Sequence, residues 1–194
     1  MPSPDLTTPD AAGAVAPVSV APGVLVHTRR DRELAAAQWL LVSSSNTRQA
    51  RHDWATYGVA LLRCGTLFSA VRIPAAFVYA AAGTDDRSEV TAFLEEALDG
   101  GPIFYDNGGR QFYALVPPSA ARRWGARGAE YLGGNSFLGV PATDITEPDP
   151  RCASYWAVPM RGPGLLCLPG DVVRLILAGR ALLAKQEKEG DGGA

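Results

Sequence analysis

Residues 101–118, GPIFYDNGGRQFYALVPP, decide how this chain is read. Two apolar runs, PIFYD and QFYALVP, flank Asp106, Asn107, Gly108 and Gly109. Strand-forming residues on both sides of an Asn-Gly turn predict a β-hairpin. Arg110 and Gln111 leave that turn, so a cation and a carboxamide sit at its tip. Glycines let a backbone approach a ligand, and they are also the ordinary means of turning a hairpin. The residues of the turn leave both readings open.

Upstream of the hairpin, GVALLRCG at 58–65 reads as a buried strand ending at Gly65. FSAVRIP at 68–74 reads as a second, stopped by Pro74, with a helix over 75–82. RSEVTAFLEEAL at 87–98 is amphipathic: Val90, Phe93, Leu94 and Leu98 share one face, and Gly100 and Gly101 end it. Asp85 and Asp86 precede that helix and read as capping residues. Residues 30–43 have helical composition, with Asp31 near the start and Leu34, Ala37, Gln38 and Leu41 on one face. A short helix over 46–55 follows, capped by Asn46 or Thr47.

Downstream, SAARRWGARG at 119–128 is a helix or turn with Ser119 as its cap. AEYLGG and SFLGVPAT look like a strand pair around Gly133 and Gly134, and SYWAVP at 154–159 is a final strand. Residues 170–186 form a closing helix with Asp171 at its start and an apolar stripe of Val172, Leu175, Ile176, Leu182 and Leu183. This order predicts an α+β fold, a central mixed or antiparallel sheet flanked by helices. Residues 1–23, rich in Pro, Ala, Ser and Thr, read as a flexible arm. Residues 24–185 form a single domain and 186–194 a disordered tail.

The chain has 194 residues, 47% hydrophobic and 20% charged, enough for one domain with a core. Its net charge of −2 argues against a protein that grips duplex nucleic acid through a general basic excess. Any nucleic-acid site would be a local arginine cluster. Cys64, Cys152 and Cys167 are odd in number and form no CxxC pair, so neither a disulfide framework nor a zinc site is expected. Reduced thiols in a cytoplasmic protein are the expectation. No positively charged segment followed by an apolar one opens the chain, so no signal peptide is expected. No apolar run approaches the roughly 18 residues of a membrane helix, so no membrane partner is expected. GxSxG, GxxxxGK[ST] and GxGxxG are all missing, and His27 and His52 read as surface residues.

Three segments in order, RCGTLFSAVRIP, YDNGGRQFYALVPP and EYLGGNSFLGVPAT followed by YWAVP, resemble one family. They are similar to the prim-pol domain, the N-terminal domain of bifunctional DNA primase/polymerases in the archaeo-eukaryotic primase superfamily. The likeness covers roughly residues 34–183 and is nearest to the short single-domain actinobacterial forms. It implies a primase/polymerase-like fold and a nucleotidyltransferase lineage. In active members an Asp-x-Asp pair at a strand end holds two divalent metals, one activating the 3′ hydroxyl and one steadying pyrophosphate. On FSAVRIP the pair matches Val71 and Ile73, with Arg72 between them. Aliphatic side chains cannot ligate a hard cation, and a guanidinium repels one. A Gly-Gly-x-His motif supplies a phosphate-contacting histidine. Here it matches residues 108–111, with Gln111 in the histidine's place. Glutamine still donates to an oxyanion but carries no charge. Arg110 could supply charge, although adjacent strand residues face opposite sides. Glu130 falls near a third, acidic position, and it reads equally as a solvated edge residue.

The resemblance therefore implies the fold without its catalytic groups: no catalytic residue, no metal ligands and no cofactor. Arg72, Arg110, Gln111 and Glu130 are the candidate nucleotide-binding residues. Arg122, Arg123, Trp124 and Arg127 are candidates for single-stranded nucleic acid, through charge and stacking. They also read as a solvated helix face with Trp124 packed inward. Two alternatives stay open. One is an active DNA primase/polymerase using Mg²⁺ or Mn²⁺, with carboxylates from elsewhere; the other is a protein-interaction or regulatory module.

Overall fold

The protein is described from a computed structural model covering residues 18–21, 24–26 and 28–191. In chain order its strands are β1 (Val18–Ala21), β2 (Val24–Val26), β3 (Val59–Arg63), β4 (Ser69–Pro74), β5 (Ile103–Asp106), β6 (Gln111–Val116), β7 (Glu130–Leu132), β8 (Phe137–Pro141) and β9 (Ser154–Val158). Its α-helices are α1 (Arg29–Leu41), α2 (Thr47–Tyr57), α3 (Ala75–Ala82), α4 (Arg87–Ala97) and α5 (Pro169–Asp191). The α+β class is as expected, and every strand pairing among the described residues is antiparallel. No described helix is long and apolar enough to cross a membrane.

Local chemistry sets the helix starts. Thr28 and Asp31 form a reciprocal capping box at α1. The Asn46 side chain accepts from the Gln49 amide at 3.1 Å to cap α2. Asp86 accepts from the Ser88 and Glu89 amides to cap α4, at 2.9 and 3.0 Å. This satisfies backbone donors that a helix end otherwise leaves unpaired.

The central sheet runs β7-β4-β6-β5-β9. Alternation divides its side chains between two cores. Val71 and Ile73 of β4, Phe112, Ala114 and Val116 of β6, and Ile103 and Tyr105 of β5 are buried on one face, with residues of α3, α4 and α5. Ala70, Leu115, Phe104 and Trp156 are buried on the other, with residues of α1, α2, β3 and β8. The second layer is locked by indole groups: Trp54 Nε1 donates to the Val140 carbonyl at 2.9 Å, and Trp156 Nε1 to those of Pro141 and Ala142 at 3.2 Å. Helices α3 and α5 touch closely at Gly179, where an added Cβ would sit 2.0 Å from the Phe77 carbonyl oxygen. Only glycine allows that approach.

Several expectations change. The segments AEYLGG and SFLGVPAT do not pair with each other: β7 joins β4 in the central sheet, and β8 joins β3 in a separate two-stranded ribbon. The buried stripe of α1 is Ala36, Leu40 and Leu41, and Leu34 is exposed. Residues 119–128 yield a 3-10 turn over Pro118–Arg123 with no side-chain cap, so Ser119 does not cap it. Helix α5 continues to Asp191, through part of the expected tail, with Lys185 and Glu189 paired one turn apart at 3.7 Å. Leu182 on that helix is exposed. Of the expected arm, Val18–Ala21 pairs with Val24–Val26. The rest of the arm, His27 and residues 192–194 lie outside the described residues.

Candidate functional site

The hairpin is real and is organised by Asp106. Asp106 pairs with Gln111 across the strands, leaving residues 107–110 as the loop. The Asp106 carboxylate accepts from the Gly108 amide at 3.1 Å, a local Asx-type turn. An added Cβ on Gly109 would lie 2.7 Å from that carboxylate. Neither glycine adopts a positive φ; the left-handed residue is Arg110, at φ 50°. The carboxylate folded over the turn leaves little room for a side chain at Gly109, whereas an arginine holds the left-handed position.

The sheet register shows which side chains share the site. Glu130, Arg72, Tyr113, Phe104 and Trp156 are cross-strand neighbours in one row. Residues two along a strand share a face, so Gln111 and Asp106 belong to the same face as Arg72. Phe104 and Trp156 are buried at one end of it. Arg72 and Glu130 are exposed at the other, and Gln111, Tyr113 and Asp106 are half-buried.

Arg72, Gln111 and Glu130 converge there on one shallow concavity of about 320 Å³, completed by Pro74, Gly128 and Ala129. The Arg72 guanidinium forms an ion pair with the Glu130 carboxylate. Its charge also acts on the neighbouring Tyr113 phenol. Burial raises the Tyr113 phenol above its ordinary pKa, the Asp106 and Glu130 charges act the same way, and Arg72 opposes them. The Tyr113 ring stacks on Phe104 at 5.0 Å, which fixes the hydroxyl beside Arg72.

The other expected residues separate. Arg110 does not line that concavity; its charge acts on Tyr79, which packs against Tyr105 and Phe112. The Tyr79 pKa is raised mainly by burial, and Arg110 pulls it back. The Arg110 carbonyl accepts from the Ala75 amide at 3.0 Å, joining the loop to the start of α3. Arg122 and Trp124 line a different concavity, of about 590 Å³, with Pro169, Gly170 and Val173 of α5. Trp124 packs against the core beneath the helices and lies 6.1 Å from the Tyr131 ring. Arg127 is exposed and lines neither concavity. Arg123 ends the 3-10 turn. Arg72 and Arg122 line different concavities.

The positions resembling the metal pair are corrected in a different sense. Val71 and Ile73 are fully buried against the helices, on the face opposite Arg72. The residues of β4 on the site's face are Ala70, Arg72 and Pro74, none of them a carboxylate. The donor set does not fit a pair of hard cations, and among the described residues no group of three or more His, Cys, Asp or Glu is placed to hold a metal ion. Tyr113 and Asp106 are site residues that the sequence reading passed over. The signal was present, because Gln111 and Tyr113 stand two apart on a strand.

The thiols lie elsewhere. Cys64 and Cys167 are buried, and burial pushes their pKa values up to about 11 and about 12. Cys152 is half-buried, with its thiol donating to the Ser154 carbonyl at 3.0 Å.

No family model, curated protein or solved structure matches the chain.

Proposed function

We propose that this is a primase/polymerase-like domain that binds a nucleotide, or the end of a single strand, without two-metal nucleotidyl transfer. The observation that carries the reading is the convergence of Arg72, Gln111 and Glu130 on one concavity beside the hairpin. A planar guanidinium and a carboxamide together offer the charge and donors that a phosphate needs. About 320 Å³ is at the lower end of small-ligand pockets, which suits a phosphate chain better than a whole nucleotide held by all its surfaces. The Tyr113 hydroxyl supplies a further polar contact. Arg72 stands on the face where metal chemistry would need carboxylates, and it supplies positive charge there without a metal.

The test is thermal stabilisation by dATP and ATP, with and without Mg²⁺, alongside primer extension with Mg²⁺ or Mn²⁺. A ligand at one hundred times its Kd adds about 2.7 kcal/mol, which a melt resolves easily. Stabilisation lost in Arg72→Ala, with no extension, supports the reading. Primer extension abolished by Glu130→Ala overturns it in favour of an active polymerase.

A second reading has its own observation. Leu61 is 60% and Phe137 54% exposed on the outer face of the β3–β8 ribbon, and Tyr57 is exposed close by in sequence. An apolar surface of this kind suits a protein-interaction module. No response to any nucleotide, together with a stable oligomer by light scattering, favours that reading.

A further inference from the structure

Resting on the nucleotide reading of the same pocket, we infer that Glu130 occupies the anion position of the site, so that the pocket selects a terminal, doubly charged phosphate over an internal phosphodiester. Glu130 lies directly opposite Arg72 in the β4–β7 register and forms an ion pair with it. A carboxylate on a guanidinium uses the same planar fork of donors that a phosphate uses. The site is therefore closed by its own side chain.

Three features make this closure reversible and selective. First, the Arg72 and Glu130 side chains are 48% and 52% exposed, and ion pairs this open to water are weak. Second, Arg72 keeps a polar neighbour when Glu130 leaves, since its charge acts on the Tyr113 phenol across the β4–β6 register, and that ring is held by stacking on Phe104. The guanidinium stays placed for an incoming anion. Third, the other polar side chain of the lining, Gln111, is neutral. A ligand must therefore win Arg72 from a full negative charge by carrying more charge itself. The terminal phosphate of a nucleoside polyphosphate, or of a 5′-phosphorylated end, does so near neutral pH. A phosphodiester carries one charge and gains nothing over Glu130. Once displaced, the Glu130 carboxylate remains near the bound phosphate and repels it.

The experiment is calorimetric titration of inorganic tripolyphosphate, dATP and an unphosphorylated oligothymidine into wild type, Glu130→Gln and Arg72→Ala, at low salt. Melting curves first establish that each variant is folded, as substitution at exposed positions leads one to expect. Glu130→Gln should tighten tripolyphosphate and dATP about tenfold, the size of one close like-charge repulsion plus one lost competitor. It should also admit the oligothymidine, which wild type rejects. Arg72→Ala should bind none of the three. Equal or weaker tripolyphosphate binding in Glu130→Gln than in a wild type that binds overturns the inference and leaves the nucleotide reading standing. Tight tripolyphosphate binding by Glu130→Gln, with no gain from the nucleoside of dATP, supports the inference and overturns the nucleotide reading. Binding of neither by either protein overturns both.

Discussion

Placing a carboxylate at Ile73 distinguishes a buried strand face from a metal-binding edge. If residue 73 still looked into the site, Ile73→Asp would move the protein toward a metal centre. In the structure Ile73 is fully buried beneath the helices, so the substitution instead inserts an acid into a core. Losing the buried aliphatic side chain costs about 2–3 kcal/mol after allowing for the carbons that aspartate retains. The new carboxyl has no cationic partner there and stays neutral, which raises its native pKa. With an unfolded pKa of about 3.9 and about 1.36 kcal/mol per pH unit, holding the proton at pH 7 costs about 4 kcal/mol. The total, about 6–7 kcal/mol, rivals the whole stability of a typical domain at roughly 5–15 kcal/mol.

The pH dependence carries the sign. The raised native pKa means that the folded variant binds a proton that the unfolded chain releases above about pH 4. Its stability is therefore greatest near pH 4 and is lost as pH rises toward 7. Urea titrations followed by tryptophan fluorescence at pH 4.5 and 7 should show the deficit against wild type growing by about 3 kcal/mol. Arg72→Asp, one residue earlier and exposed, should differ from wild type by less than about 1.5 kcal/mol at both pH values. An Ile73→Asp protein as stable as wild type at pH 7, or one that Mn²⁺ stabilises, would refute the assignment of Val71 and Ile73 to the packed face.

The hairpin, the helix contact and the thiols give further checks. Relieving the left-handed Arg110 by Arg110→Gly should stabilise the fold by about 0.5–1 kcal/mol, while Gly109→Ala, whose Cβ would stand 2.7 Å from the Asp106 carboxylate, should destabilise it by about 1 kcal/mol; thermal melts read both. Gly179→Ala forces a methyl to within 2.0 Å of the Phe77 carbonyl, so α3 and α5 must separate, at about 2–3 kcal/mol in denaturant titration. Alkylation of the native protein at pH 8 should label Cys152 first and spare Cys64 and Cys167, and mass spectrometry of the digested protein reads the order. Because burial lifts the folded Cys167 pKa from 9.0 to about 12, that thiol's contribution to stability is intact below pH 9 and is lost progressively above it.

The order and type of elements were legible because local chemistry writes them. Asn46 and Asp86 cap the helices they precede, and Val90, Leu94 and Leu98 recur at helical spacing and are buried together. The sheet to which a strand belongs was not legible. β7 and β8 are separated by a few residues with glycines between them, as a hairpin would be, and yet they enter different sheets. Pairing partners are chosen by tertiary packing, which a local pattern does not record. The register of β4 was hidden for a related reason. Ala70, Val71 and Ile73 are all fully buried, because both faces of the strand are covered along most of its length. A strand apolar on both sides has no alternation to fix its phase. Arg72 was the one charged mark, and it lies on the same face as Gln111.

That mark changes what the altered motifs mean. Taken as sequence, Val71 and Ile73 look like a metal site whose acids have been erased. Taken as structure, they are core residues. Their aliphatic character follows from packing alone, whatever the chemistry of the site. The other face of β4 carries Ala70, Arg72 and Pro74, none of them an acid. Of these only Arg72 is exposed, so a substitution there costs the fold little. The core on the same face, Phe104, Leu115 and Trp156, is screened from Arg72 by Tyr113, which stacks on Phe104. The charge at this edge can thus change without repacking any helix. The same openness keeps the Arg72–Glu130 pair weak enough to exchange Glu130 for a ligand. The chemistry of this site depends on the residues at the uncovered ends of three strands, β4, β6 and β7, and the stability of the domain hardly depends on them.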